Sequence, residues 1–377
     1  MDLYPGDYII DIAKKIIKDN SIKNFTNLEK VYKKLSFLSL KYSMELIMHN
    51  LSLLGVKHDT FIYESKLINK KMVLKTIKKL KKTKYIYQGK LEEPKGEKSK
   101  DWKSRNQLLF ASTKFGDEID RALQKEDLTW TYFASDIAYH GHKIERSFDL
   151  LINILGADHS GYITRIKSAV KALSKNKIDL ICKVSQLVKL FKSGKPFKMS
   201  KRKGDYITLE DLINEVGKDS VRFMMLNRNS DVELDFDFEK VAEKSKENPV
   251  FYVQYANARI NSIFRTLKIN INKKINLPNT NFDLNEHEIE ILKKISEWPK
   301  CVGISAAKLE PHRIPFYLYE LVTLFHSYWN LGNENKKFRF INDPNEINYS
   351  RLLLLQALFI VIRNGLSILG VTAPDRM

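Results

Sequence analysis

The chain has 377 residues, 43% hydrophobic and 29% charged, the balance of an ordinary globular protein with room for two or three cored domains. Its formal net charge of +19 argues for a polyanionic partner, nucleic acid ahead of an anionic membrane surface. Its two cysteines, Cys182 and Cys301, lack paired spacing and histidine neighbours, which argues against a disulfide framework or a structural zinc site and fits a reducing, cytoplasmic setting.

No signal peptide is visible from Met1 to Pro5, and Tyr4-Pro5-Gly6-Asp7-Tyr8 reads as a turn. A helix follows, with Ile9, Ile12, Ala13, Ile16 and Ile17 on one face. A second amphipathic run extends from Leu28 to about Leu54, and Gly55 closes it before an extended segment reaching Ser65. Glu64 stands at the end of that segment, where ligand sites of α/β sheets lie. It also reads as a plain first-turn residue beside a Ser65 cap. Residues 72–84 are dense in lysine, with Met72, Val73, Leu74, Ile77 and Leu80 between. They predict a surface helix, suited to an RNA backbone or simply to water. Residues 89–103 predict an exposed polar loop.

At Thr131 to His140 a strand-to-helix turn would put Tyr132 and Asp136 one helical turn apart on one face. A phenol and a carboxylate on one wall suit a cationic ligand, although Asp136 could equally be a helix cap. Ile152 to Tyr162 reads as a buried strand entering a loop with glycines at 156 and 161, which places Asp158 and His159 at a sheet's carboxyl edge as candidate nucleotide contacts. Strands are expected within residues 178–190, then a turn at Lys192 to Pro196. The string KMSKRKGD follows, in which Lys198, Met199, Ser200, Lys201 and Arg202 crowd cationic groups into one loop able to close around a polyphosphate. Thr208-Leu209-Glu210-Asp211 opens a helix with a capping pattern, another helix follows Asp219, and Asp231 to Phe238 reads as a link.

From Asn248-Pro249 onward the pattern is almost wholly helical, apart from a linker at residues 270–283. A domain boundary is expected near residue 240. The most apolar stretch, Leu352 to Ile362, falls short of the roughly 20 residues that span a bilayer and reads as a buried helix.

Taken together, these segments resemble arginyl-tRNA synthetases, class I enzymes. The resemblance is carried by the Tyr4–Tyr8 turn, Tyr63-Glu64-Ser65, Thr131 to His140, Gly156 to Tyr162, the KMSKS-like loop from Lys198, and Asn248 to Ile260. Near the end it is carried by Pro311-His312-Arg313, Tyr317 to Glu320, Phe325 to Asn330 and Leu369 to Pro374. It implies an α/β then all-α fold. An incomplete Rossmann-type class I catalytic domain (1–240) would precede a helical-bundle anticodon-binding domain of the DALR type (241–377). It implies ATP-dependent attachment of arginine to tRNA(Arg) through an arginyl-adenylate. By resemblance Glu64, Tyr132 and Asp136 bind arginine; Asp158, His159 and Lys198 to Arg202 bind ATP; and Lys198 and Lys201 stabilise the departing pyrophosphate. Asn257, Arg259, Tyr328 and Trp329 would contact tRNA. Magnesium would arrive with ATP, with no structural metal and no membrane partner.

The chain departs from the family in lacking a HIGH-type motif and the extra N-terminal domain; His140-Gly141-His142 does not occupy the motif's place. The expectation is a C-terminal portion that needs a complementing N-terminal fragment. A non-catalytic tRNA-binding remnant is the rival reading. A class I synthetase for another amino acid is disfavoured by the two acids placed for a cationic substrate.

Overall fold

The computed structural model describes residues 6–19, 22–69, 71–91, 105–197, 207–275, 284–343 and 346–377. Contacts divide the chain into an α/β unit, residues 58–187 with 230–232, and a largely helical unit formed by the segments 1–57, 188–229 and 233–377.

Helix α1 (Asp7–Asp19) turns Ile12 and Ile16 inward against Leu38 of the long helix α2 (Leu28–Leu53). Asn27 starts α2 by accepting the Lys30 amide at 3.1 Å. Much of the apolar residue set on this pair stays exposed, including Ile9, Ile17, Phe37 and Leu40. The segment after Gly55 forms no strand, contrary to the expectation of a sheet edge, and Glu64 instead opens the short helix α3 (Glu64–Asn69).

In the α/β unit, α4 (Met72–Lys82) buries Val73, Ile77 and Leu80 and leaves its lysines in water. An antiparallel sheet follows, of β1 (Ile86–Gly89), β2 (Gln107–Phe110) and β3 (Arg121–Ala122). Helix α5 (Tyr132–Glu145) begins at Thr131, whose hydroxyl accepts the Ala134 amide at 3.3 Å, so Asp136 is not the cap. Strand β4 (Leu150–Gly156), α6 (Ile163–Ser174) and β5 (Asp179–Ser185) form a βαβ unit in which β4 and β5 pair in parallel from Leu150–Asp179 to Gly156–Ser185. The strand alternates: Leu151 is buried in the core with Ile166 and Val170, while Leu150, Ile152 and Ile154 are exposed. The expected buried strand is thus covered on one face only, because among the described residues its sheet has just two strands.

The helical unit takes up the chain at β6 (Val188–Lys192), which turns through Ser193 and Gly194, both at positive φ, into β7 (Lys195–Pro196). Helix α7 (Leu209–Val216) has the expected capping box between Thr208 and Asp211, and α8 (Lys218–Leu226) follows Gly217. The acidic stretch expected to be only a link contains β8 (Leu234–Asp237), which pairs in parallel with β6 because Phe236 alternates into the core. Then comes α9 (Phe238–Ala242).

The remaining helices are α10 (Pro249–Thr266), α11 (Glu286–Ser296), α12 (Trp298–Lys308), α13 (Arg313–Glu334) and α14 (Tyr349–Leu369). Asn248 sits at the α10 cap position, but its side-chain amide donates backward to the Val241 and Glu243 carbonyls. At 21 residues α14 is longer than the sequence suggested, and by length and apolarity it could cross a bilayer. Its place here is the core: Leu355, Leu358, Ile362 and Leu366 are buried with Val253 and Ile260 of α10 and with Leu318 and Phe325 of α13. Gly365 permits that closeness, since a Cβ there would lie 2.7 Å from Leu318 Cδ2. After α14 the chain turns at Gly370 (φ +67°). Arg222 of α8 clamps this turn, donating to the Leu369 carbonyl at 2.7 Å and to the Leu54 carbonyl at 2.9 Å.

Candidate active site

Helix α5 has two faces with different work. Phe133, Ala134, Ile137 and Ala138 are buried in the α/β core. Tyr132, Ser135, Asp136 and Tyr139 recur at i, i+3, i+4 and i+7 and line a cavity of about 280 Å³. Helix α3 supplies the facing wall through Glu64 and Leu67, with Ile62 from the preceding segment. The volume is near the lower end of small-ligand pockets, about 300–1,000 Å³. Glu64, remote in sequence, therefore shares one cavity with Tyr132 and Asp136. Ile62, Leu67, Ser135 and Tyr139 were not foreseen. Helical spacing from Tyr132 carried the signal for Ser135 and Tyr139.

The Asp136 side chain is held by one hydrogen bond among the described residues: Tyr162 Oη donates to Oδ2 at 2.6 Å. Burial, followed by this bond to a carboxylate, pushes the Tyr162 phenol well above its usual range, so it stays a donor. The Asp136 backbone is held as well. His140 Nδ1–H donates to its carbonyl at 2.8 Å, His140 Nε2 accepts from Asn153 Nδ2 at 2.9 Å, and Asn153 Oδ1 accepts from Lys143 at 2.9 Å. Burial holds His140 below the ordinary histidine range, consistent with a neutral ring in this relay. The relay joins α5 to β4. Tyr132 is 75% exposed at the cavity mouth, with the Lys125 ammonium 5.5 Å from its ring centre.

The loop after β4 forms a 3₁₀ turn over Ala157–Tyr162. Asp158 and His159 project from it into solvent, 3.6 Å apart. Lys198, Met199, Ser200, Lys201 and Arg202 lie outside the described residues. Among the described residues no cluster of three or more His, Cys, Asp or Glu could hold a metal ion. A larger cavity, about 470 Å³, lies between α12 and α13 and includes Glu297 and Glu320. Both acids are already engaged by Lys294, at 3.1 and 2.6 Å, so it offers no open acidic pair.

In the helical unit the four expected RNA contacts divide evenly. Asn257 is fully buried and donates to the Pro374 carbonyl at 2.8 Å, which ties α10 to the C-terminal tail. Tyr328 is 1% exposed and bonds to Glu288, which also accepts Arg351. Both belong to the core rather than to an RNA surface. Their spacing alone could not distinguish the two faces of their helices. Arg259 and Trp329 are half-buried and adjoin: the guanidinium lies 4.8 Å from the Trp329 ring centre and 4.3 Å from that of Tyr255. Behind them His326 Nε2–H donates to the Tyr252 carbonyl, and Nδ1 accepts from Arg259 at 3.1 Å.

Comparison with known proteins assigns this architecture. Residues 14–265 match the family model of class I tRNA synthetases (R), catalytic domain, and residues 253–377 match the DALR anticodon binding domain. The chain is therefore built as a class I aminoacyl-tRNA synthetase catalytic region followed by a helical anticodon-binding domain. It is 58% identical over 376 residues to an arginine–tRNA ligase of Pelagibacter ubique, covering 100% of this chain and 65% of that one. It is 45% identical over 381 residues to one from Cereibacter sphaeroides, covering 100% and 66%. A crystal structure assigned as an arginyl-tRNA synthetase from Campylobacter jejuni superposes with a TM-score of 0.81 at 30% identity, over 99% of this chain and 76% of that one. The chain belongs to the arginyl-tRNA synthetase family and spans just under two thirds of the length of the two arginine–tRNA ligases.

Burial pushes His326 down to about 4. A histidine depressed in the fold binds its proton more readily once unfolded. Its stabilising contribution is thus complete above about pH 6.5 and is withdrawn as pH falls from there toward 4. Urea unfolding of the helical unit should lose up to about 1.4 kcal/mol per pH unit in that window. In His326→Gln the slope should flatten; an unchanged slope would contradict the assignment.

Proposed function

We propose that this chain carries the arginine pocket, the phosphate-side loops and the tRNA-gripping bundle of an arginine–tRNA ligase. The cavity shared by Glu64 and Asp136 carries this reading. Two carboxylates on facing helices suit a planar guanidinium, which presents paired N–H donors in a fixed fork, and they disfavour a neutral side chain. Tyr132 closes the mouth as a hydrogen-bonding and cation-stacking wall. With arginine held there, its carboxylate is directed at the α-phosphate of ATP, pyrophosphate departs, and the activated arginine passes to the 3′ end of tRNA(Arg). We assign Asp158 and His159, with Lys198 to Arg202, to ATP. Lys198 and Lys201 would balance the charge that builds on the leaving pyrophosphate. Magnesium would come bound to ATP.

We read residues 1–240 as the partial catalytic domain and 241–377 as the anticodon-binding domain. Arg259 and Trp329 are the RNA contacts we retain, as a cationic and aromatic surface on which unstacked bases can rest. The exposed Leu150, Ile152 and Ile154 face of β4 is apolar surface of the kind that a further part of a class I catalytic fold would cover. We therefore propose that a complementing N-terminal fragment is needed for activity. The site of action we infer is the cytoplasm, consistent with two unpaired cysteines. A non-catalytic tRNA-binding remnant is the second reading; the retained acid pair at one cavity favours the ligase.

Charging of tRNA(Arg) with labelled arginine, with and without a fragment carrying the HIGH-type region, tests the proposal. Charging should require the fragment. Glu64→Gln and Asp136→Asn should each raise the arginine requirement at least about tenfold, the size expected for losing a hydrogen bond between charged groups. No charging under either condition would favour the remnant, whereas charging unaffected by both substitutions would contradict the arginine pocket at Glu64 and Asp136.

The bundle gives a separate test. Arg259→Ala should weaken tRNA binding about tenfold, with a stability loss of about 1 kcal/mol from the His326 bond, whereas Tyr328→Phe should leave tRNA binding unchanged. Tyr328→Phe should lower stability by about 1 kcal/mol through the Glu288 bond. Filter binding separates the two, and thermal unfolding reads the stability loss of each; the opposite binding pattern would reverse the assignment.

A further inference from the structure

We propose that Tyr162 is a positioning residue for arginine recognition, holding the Asp136 carboxylate so that one oxygen is committed to the protein and the other is left for the substrate guanidinium. The inference rests on the reading of the cavity as the arginine pocket. An aspartate on a helix surface turns freely about its side-chain bonds, and fixing it at the moment of binding costs entropy. Here the cost is met in advance. Tyr162 Oη holds Oδ2 at 2.6 Å, and no other hydrogen bond is found to that carboxylate among the described residues. The phenol is itself well fixed. Its ring packs edge-on against Phe133 with centroids 6.1 Å apart, and the Arg165 guanidinium lies 5.4 Å from its centre. Tyr162 sits immediately before α6, whose Ile166, Ala169 and Val170 are buried.

The Asp136 backbone is fixed by the same βαβ segment from its other end, through His140 to Asn153 on β4. Main chain and side chain of one residue are therefore tied to positions 153 and 162. These two positions bracket the loop that carries Asp158 and His159. A residue that only filled the core would not need a hydroxyl aimed at the cavity-lining acid.

The test is a double-mutant cycle on the 377-residue chain with tRNA(Arg) present, reading labelled-arginine binding by equilibrium dialysis. Tyr162→Phe deletes one oxygen and keeps the ring. It should weaken arginine about tenfold, the scale of one hydrogen bond to a charged group, while its melting temperature stays close to that of the parent. In an Asp136→Asn background the same substitution should change binding less than twofold, because the phenol acts through that carboxylate. Equal effects in both backgrounds, no effect in the parent, or loss of the parent's unfolding transition would overturn the positioning role. Glu64→Gln separates the two levels of the claim. If it and Asp136→Asn weaken arginine while Tyr162→Phe does not, only the role of Tyr162 falls. If the parent binds no arginine, or neither acid substitution matters, the pocket reading falls and the inference with it.

Discussion

Two carboxylates, Glu64 and Asp136, line one cavity, and among the described residues neither is closed by an ion pair. Like charges around a shared space repel and favour a cation between them. The α/β unit is arranged to keep that geometry. The buried face of α5 fixes where its open face points, the His140–Asn153 relay fixes α5 against β4, and Tyr162 fixes the carboxylate itself. The larger cavity between α12 and α13 shows the contrast. Its acids have an internal partner in Lys294, and they make a structural tie where an acceptor site would need open oxygens.

The same logic of internal partners sorts the helical unit. The Asn257 side-chain amide and the Tyr328 hydroxyl are bonded within the protein, and they hold the tail and the bundle together. Arg259 is held differently: a neutral His326 accepts one of its N–H groups, and two aromatic rings flank the guanidinium. That arrangement fixes a charge near the surface without neutralising it. Arg222 serves a third purpose, joining the end of α2 to the turn after α14 through two carbonyls.

How much of this was legible in the sequence depends on the range of the interaction. Local rules read well. The Thr208 capping box, the Ser193-Gly194 turn and the shared face of Tyr132 and Asp136 all follow from spacing and propensity. Features decided by tertiary packing did not. The stretch before Glu64 has a strand-like composition but finds no strand to pair with among the described residues. The acidic link hides β8, because pairing with β6 outweighs its charge. The cavity's far wall and the Tyr162 bond join residues 26 or more positions from Asp136, a distance that periodicity cannot see. The resemblance to a family brought Asn257 and Tyr328 forward as RNA contacts, yet which face of a helix is buried is set by its neighbours.

A crystal structure of the chain with L-arginine and tRNA(Arg) tests the central claim most directly. The guanidinium should lie between α3 and α5, within hydrogen-bonding distance of Glu64 and of Asp136 Oδ1, with Tyr162 still on Oδ2. Arginine bound away from this cavity, or held there without contact to either acid, would contradict it.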